Sequence, residues 1–251
     1  MTLNINSFYY NSSSIKTTQV QLRKAFTASN QVQVTTDTFS YNSELSPYLS
    51  EAKIKELIQA NPKISKILRE NNIKQEINIK ELQNLANGHL KATKNITAGI
   101  INNLSPEIKS TVNRSALLEA AIFHDFGKVL IPAKILNKPA KLNGGEKSLM
   151  QLHSELGYEL LKTQNLSPKA LELIKYHHQT PDYNGYPIVD VGFEYSIEQE
   201  ILTLADKYSA LVEKRSYKPA LSKNEALAVL KEEHPNSPAL VALEKFVCDV
   251  G

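Results

Sequence analysis

The chain has 251 residues, 41% of them apolar, which is ordinary for a globular protein and enough for one generous core. Its 29 basic and 26 acidic residues leave a formal charge of +3, too even a balance to point to a nucleic-acid polymer or an anionic membrane surface. The single cysteine, Cys248, excludes an internal disulfide framework, and neither a leader pattern nor a bilayer-spanning apolar run occurs, so a cytoplasmic chain without membrane contact is expected.

Residues 1–45 are rich in Ser, Thr, Asn and Gln and offer too little apolar surface to offset the entropy of ordering, which predicts a flexible polar tail. A small hairpin or edge strand around "VQVTT" is the alternative. Helical periodicity starts in "SELSPYLSEAKIKELIQANPKISKILRENN", where Leu57, Ile64 and Leu68 are candidate core positions, and it defines an N-terminal helical segment over 46–84. From there the chain reads as helix upon helix. "ALLEAAIF" runs directly into His124 and Asp125. Asn143, three residues before Glu146, predicts a capping box for a helix with the stripe Leu149, Leu152, Leu156 and Leu160. Ser167 and Pro168 supply an N-cap and first position for a helix carrying Leu171 and Ile174. "SIEQEILTLADKYSALVEK" repeats Ile197, Ile201, Leu204, Tyr208 and Leu211, and Ser222 with Glu225 and Ser237 with Pro238 open two more helices. Alternating β-branched runs are almost absent, so the predicted fold is all-α.

Four of the six histidines and two aspartates fall on the apolar sides of these helices. His153 lies in a leucine stripe; His177 and His178 end the helix that Ser167 opens; His124 and Asp125 close an apolar helix; Asp206 sits among aliphatics in "LTLADKYSAL". Any one of them alone reads as a hydrogen-bonded core residue. Together they turn several costly polar groups inward from four helices, and one shared cation site would satisfy them all. Imidazoles with carboxylates and no thiolate suit Fe, Mn, Zn or Ni better than Ca or Mg. The donors outnumber the four of a closed zinc site, which points to two divalent metals sharing a bridging carboxylate, with Asp125 as the bridge.

"HDFGK" at 124–128, "IPAKILNKPAKL" at 131–142, "LHSELGYELL" at 152–161, "HHQTPDYNGYP" at 177–187, "LADKYSAL" at 204–211 and "RSYKPALS" at 215–222 resemble, in order and spacing, the HD-GYP branch of the HD-domain phosphohydrolases. The resemblance covers residues 85–251 and implies an all-α HD-domain helical bundle whose two- or three-metal centre, Fe or Mn with Zn or Ni as alternatives, hydrolyses cyclic di-GMP to pGpG or GMP through a bridging hydroxide. It implies His89, His124, Asp125, His153, His177, His178 and Asp206 as metal ligands. It implies Lys128 as the catalytic lysine aimed at the scissile phosphate, and Tyr186, Arg215 and Lys218 as further substrate contacts. The expected partner is cyclic di-GMP or a related cyclic dinucleotide; another nucleotide substrate, or a receptor that binds without cleaving, is the alternative. His234 matches nothing in the pattern and reads as a loop residue. Three positions depart from the family. Gln179 stands in place of a glutamate and Tyr183 in place of a glycine, which alters the lip of the site. Leu85 replaces the glutamate of three-metal members and so favours two metals.

Overall fold

The computed structural model describes residues 45–213 and 219–249; the predicted tail, up to residue 44, and the expected substrate contacts Arg215 and Lys218 lie outside them. A 3₁₀-turn, Ser46–Tyr48, leads into α1 (Glu51–Ala60) and α2 (Pro62–Glu70). Then come α3 (Ile79–Asn87), α4 (His89–Asn103), α5 (Pro106–Thr111) and α6 (Arg114–Phe123). A second 3₁₀-turn, Phe126–Leu130, and the short α7 (Ala133–Leu136) precede α8 (Gly144–Leu161) and α9 (Pro168–Tyr176). The chain closes with α10 (Ile197–Val212), α11 (Lys223–Glu233) and α12 (Pro238–Asp249). Among the described residues the only β pairing is an isolated antiparallel bridge between His178 and Tyr186.

Local chemistry places the helix starts. Asn143 accepts from the Glu146 N–H while the Glu146 carboxylate accepts from the Asn143 N–H, and Ser222 and Glu225 form the same reciprocal box. Ser167 and Ser196 cap α9 and α10 in the simpler one-way form. Each such cap contributes about 1 kcal/mol by satisfying an orphan N–H of the first turn.

Helix α4 is the central element: it packs against α6, α10 and α12, while α8 lies against α9 and the second 3₁₀-turn. Ile100, Leu117, Phe126, Leu156, Leu173 and Leu204 are fully buried along these seams. Removing each such side chain from water is worth about 1.5–3 kcal/mol, and this term fixes the relative positions of the helices. In α8 the buried face is His153, Leu156, Gly157, Leu160 and Leu161, with Leu149 and Leu152 only partly covered. The histidine therefore lies on the most deeply buried part of the stripe. His234 lies in the bend just after α11, as the sequence reading has it, yet it is buried: it is the C-cap of α11, 6% exposed, with Nδ1 3.5 Å from Glu200 of α10. The Pro-containing segment after it hid that burial from sequence reasoning.

A buried ionic knot ties α2 to α8. Glu159 is 1% exposed and accepts from Asn61 Nδ2 at 2.7 Å, with Lys162 at 2.6 Å and Lys63 at 3.0 Å. Burial works against its ionised form, but these three donors outweigh it and hold the carboxyl below the usual glutamate range.

Candidate metal centre

Helix α6 ends at His124, whose backbone is still helical, and the chain turns at Asp125 into the 3₁₀-turn. Two consecutive side chains thereby reach the same interior point. The turn can approach α8 closely because residue 127 is glycine: a Cβ there would lie 2.0 Å from the His153 carbonyl oxygen and 2.5 Å from the Gly157 nitrogen. That contact sets Asp125 Oδ1 3.3 Å from His153 Nε2.

Two triads of donors result. His89, Asp206 and His124 form one, and His153, His177 and His178 the other; within each triad the ligand atoms lie within 4.8 Å of one another. In the first, His89 Nε2 is 2.9 Å from Asp206 Oδ1, and His124 Nε2 is 3.6 Å from the same oxygen. In the second, His153 Nε2 is 3.2 Å from both His177 Nε2 and His178 Nε2. Asp125 stands between them. Its Oδ2 is 3.5 Å from His89 Nε2 and 3.5 Å from His124 Nε2, while its Oδ1 faces His153. One carboxylate thus addresses both triads, one oxygen each.

The backbone assigns the imidazole tautomers. Nδ1 of His124, His153 and His177 lies 3.1, 2.7 and 2.8 Å from the carbonyl oxygens of Ala121, Met150 and Ile174, each three residues back. A carbonyl only accepts, so Nδ1 carries the proton and Nε2 presents a lone pair to the centre. His153 and His177 then aim two lone pairs at each other across 3.2 Å, and buried His124 Nε2 has no hydrogen-bond partner among the described residues. Lone pairs converging with no proton between them are a poor arrangement for hydrogen bonding and a good one for a cation. The residues fit bound metal cations.

Electrostatics agree. Burial, reinforced by neighbouring imidazoles, pushes His153 down to about 4, His178 down to about 3 and His177 well below its ordinary value, so these rings stay neutral and able to ligate at neutral pH. For His124 burial opposes protonation, but the Asp125 and Asp206 carboxylates outweigh it and raise the value. Asp125 and Asp206 are themselves buried, a cost more than offset by Lys128 and the histidines around them, and both are held well below the usual carboxylate range.

Around the centre, Lys128 reaches back so that Nζ lies 2.5 Å from Asp125 Oδ2, with its side chain still 18% exposed at the rim. Tyr186 lies over His178, ring centroids 4.5 Å apart and planes inclined by 30°. Its N–H donates to the His178 carbonyl, and Gly185 allows the approach, since a Cβ there would sit 2.2 Å from that oxygen. Gln179, read from sequence as part of the lip, is 1% exposed and its Nε2 donates to the Pro187 carbonyl, so it is an internal strut under the Gly185–Pro187 turn. Tyr183 is on the outside, at φ 58° and 48% exposed. Leu85 is partly buried against the core and offers no donor.

The structure brings together all seven expected ligands, with Lys128 and Tyr186 at their edge. Sequence reasoning missed Ser209 and Glu213. Ser209 Oγ is 3.1 Å from His89 Nδ1 and Glu213 Oε2 is 3.7 Å away, so these groups orient the His89 ring from behind. The spacing Asp206 to Ser209, three residues along one helix face, was a usable signal.

Among the described residues a helical bundle turns five histidines and two aspartates inward into clusters that could hold metal ions. The sequence model of the HD domain matches residues 77–236, more than half of the chain, and the chain belongs to the HD-domain family. Among its relatives is the cyclic di-GMP phosphodiesterase response regulator RpfG of Xanthomonas campestris, 42% identical over 113 residues, covering 44% of this chain and 30% of RpfG. The 3'3'-cGAMP-specific phosphodiesterase 2 of Vibrio cholerae is 43% identical over 101 residues, 39% of this chain and 19% of that protein. A cyclic di-GMP phosphodiesterase of Thermotoga maritima is 33% identical over 139 residues, 52% and 38% of the two chains. The matched region thus spans well under half of each of these relatives. A solved structure, Bd1817, described as an HDG"Y"P protein from Bdellovibrio bacteriovorus, shares the fold at a TM-score of 0.54 and 13% identity, over 91% of this chain and 77% of that one. The resemblance to the HD-GYP branch drawn from the motifs agrees with these matches. No helix among the described residues is long and apolar enough to cross a membrane.

Proposed function

We propose that this chain is a phosphodiesterase that binds two divalent transition metals, Fe or Mn, and hydrolyses cyclic di-GMP to pGpG or GMP. The observation that carries the reading is Asp125, whose two oxygens face two separate triads of donors. In this reading His89, His124, Asp206 and Asp125 would hold one cation, and His153, His177, His178 and Asp125 the other. Such a pair would supply a water acidic enough to be deprotonated near neutral pH and positive charge for the phosphoryl oxygens.

The chain's own residues do the rest. Lys128 is at the rim beside Asp125, and a phosphate arriving there offers it new acceptors, so its ammonium can pass from the carboxylate to the phosphoryl oxygens as charge grows on them. Tyr186 is held face-on against His178 by the Gly185 contact, which keeps an aromatic surface beside the second triad for a purine to stack on. Arg215 and Lys218 are proposed to bind the ligand's phosphates, the guanidinium bidentately and the ammonium as a point charge.

A second reading keeps the chemistry and changes the substrate to 3'3'-cGAMP, because relatives named for each dinucleotide match this chain with similar identity. The test is chromatography of Mn- or Fe-reconstituted protein incubated with each dinucleotide at equal concentration. Faster appearance of linear product from cyclic di-GMP supports the first reading and faster turnover of 3'3'-cGAMP the second. Bound metal without cleavage of either would reassign the chain as a receptor.

A further inference from the structure

Residues 46–70, which precede the matched HD-domain region, are built onto the back of the centre. Tyr48, in the first 3₁₀-turn, places its ring edge-on against Phe123 at 5.5 Å and Phe126 at 5.8 Å, both at 83°. Those two phenylalanines immediately flank His124 and Asp125 in the chain, and they pack on each other at 6.1 Å. One helix later, Asn61 Nδ2 donates to the Glu159 carbonyl at 2.9 Å and to its carboxylate at 2.7 Å, while Lys63 pairs with Glu155 at 3.1 Å and Glu159 at 3.0 Å. Glu155 and Glu159 belong to α8, the helix that carries His153. One short stretch therefore grips both elements whose side chains meet at Asp125 Oδ1 and His153 Nε2. Between them runs the tightest backbone seam of the centre, Gly127 against His153 and Gly157.

We infer that residues 46–70 form a bracket that fixes the spacing of the Asp125–His153 half of the centre, with Tyr48 as its positioning residue. Tyr48 touches no donor of the centre. It acts through Phe123 and Phe126, because ring edges packed into a dense core transmit displacement rather than absorb it. The expected consequence is weaker metal binding, because the bracket bears on Asp125, which faces both triads, and on His153 of one of them.

The inference rests on the two-metal reading above, and its test separates the two. Metal-free full-length protein is titrated with Mn²⁺ by calorimetry, with the EPR signal of a coupled ion pair as the second readout, for the parent, Tyr48→Ala, Tyr48→Phe and Leu230→Ala. Leu230 is fully buried in α11, which carries no donor of the centre, so its variant controls for lost stability alone. The bracket predicts that Tyr48→Ala weakens Mn²⁺ binding by about 10-fold or more, the scale of outer-shell changes at metal sites. Tyr48→Phe, which keeps the ring, retains the parent's binding, and Leu230→Ala melts earlier yet binds as the parent does. Unchanged binding in Tyr48→Ala, or equal weakening in Leu230→Ala, overturns the bracket while the parent's two ions leave the metal centre standing. A parent that binds no Mn²⁺ overturns both.

Discussion

Replacing Gly127 by alanine tests the seam on which the bridging position depends. The added Cβ would lie 2.0 Å from the His153 carbonyl oxygen, 2.5 Å from the Gly157 nitrogen and 2.9 Å from the His153 carbonyl carbon. All three are backbone atoms, so no side chain can rotate away, and the second 3₁₀-turn must move off α8 by roughly 1 Å or more to reach ordinary contact. Overpacking of this kind costs about 1–3 kcal/mol. For a chain of this size that lowers the melting temperature by roughly 2–12 °C. Coordination is less tolerant still: metal–ligand distances hold to about 0.2 Å, so a shift of that size takes Asp125 Oδ1 out of range of a cation held by His153. Thermal unfolding and elemental analysis of Gly127→Ala should therefore show a modest loss of stability with a larger, selective loss of metal. A variant that melts with the parent and retains its full metal content would refute the seam argument.

Three further outcomes follow from the same geometry. In metal-free protein the neutral burial of His153, His177 and His178 stabilises the fold above the unfolded histidine value near 6.5 and is lost as pH falls toward about 4; only His124, raised by its carboxylates, works in the opposite sense. Urea unfolding of that form should show lower stability at pH 5 than at pH 7, by on the order of 2 kcal/mol for His153 alone, and a flat profile would contradict the assignment of neutral buried rings. Asn61→Ala removes a side chain that both caps α2 and bonds buried Glu159, and chemical denaturation should register a loss of about 1–3 kcal/mol; a change under 0.5 kcal/mol would deny the knot its role. Gln179→Leu keeps the volume but loses the donor to the Pro187 carbonyl, so KM for the dinucleotide should rise more than kcat falls, and the reverse split would place Gln179 in the chemical step.

Much of the fold was legible because its signals are local. The Asn143–Glu146 and Ser222–Glu225 boxes, the Ser167–Pro168 start and the leucine stripes each depend on residues within one or two turns. Six of the seven clustered donors were legible for a related reason: imidazoles and carboxylates on apolar helix faces are too costly to bury without a common purpose, whereas His89 was reached only through the family resemblance. What was hidden depends on contacts distant in sequence. Gln179 looked like a lip residue because its acceptor, Pro187, is reached only after the chain has turned. The burial of His234 was hidden because its partner Glu200 sits on another helix. The value of glycine at 127 appears only once α8 is in place, and Tyr48 gives no sign in the sequence that its neighbours are the phenylalanines around the HD pair.

Asp125 is the point on which the account turns, since its two oxygens join the two triads. The most direct measurement is elemental analysis of the purified full chain beside Asp125→Asn, an exchange that keeps size and removes the charge, with cyclic di-GMP turnover followed on the same samples. The account predicts about two equivalents of transition metal and cleavage in the parent, with both metal content and cleavage lost in the variant. A folded parent that retains no metal, or an Asp125→Asn variant that keeps both ions and cleaves as the parent does, would contradict it.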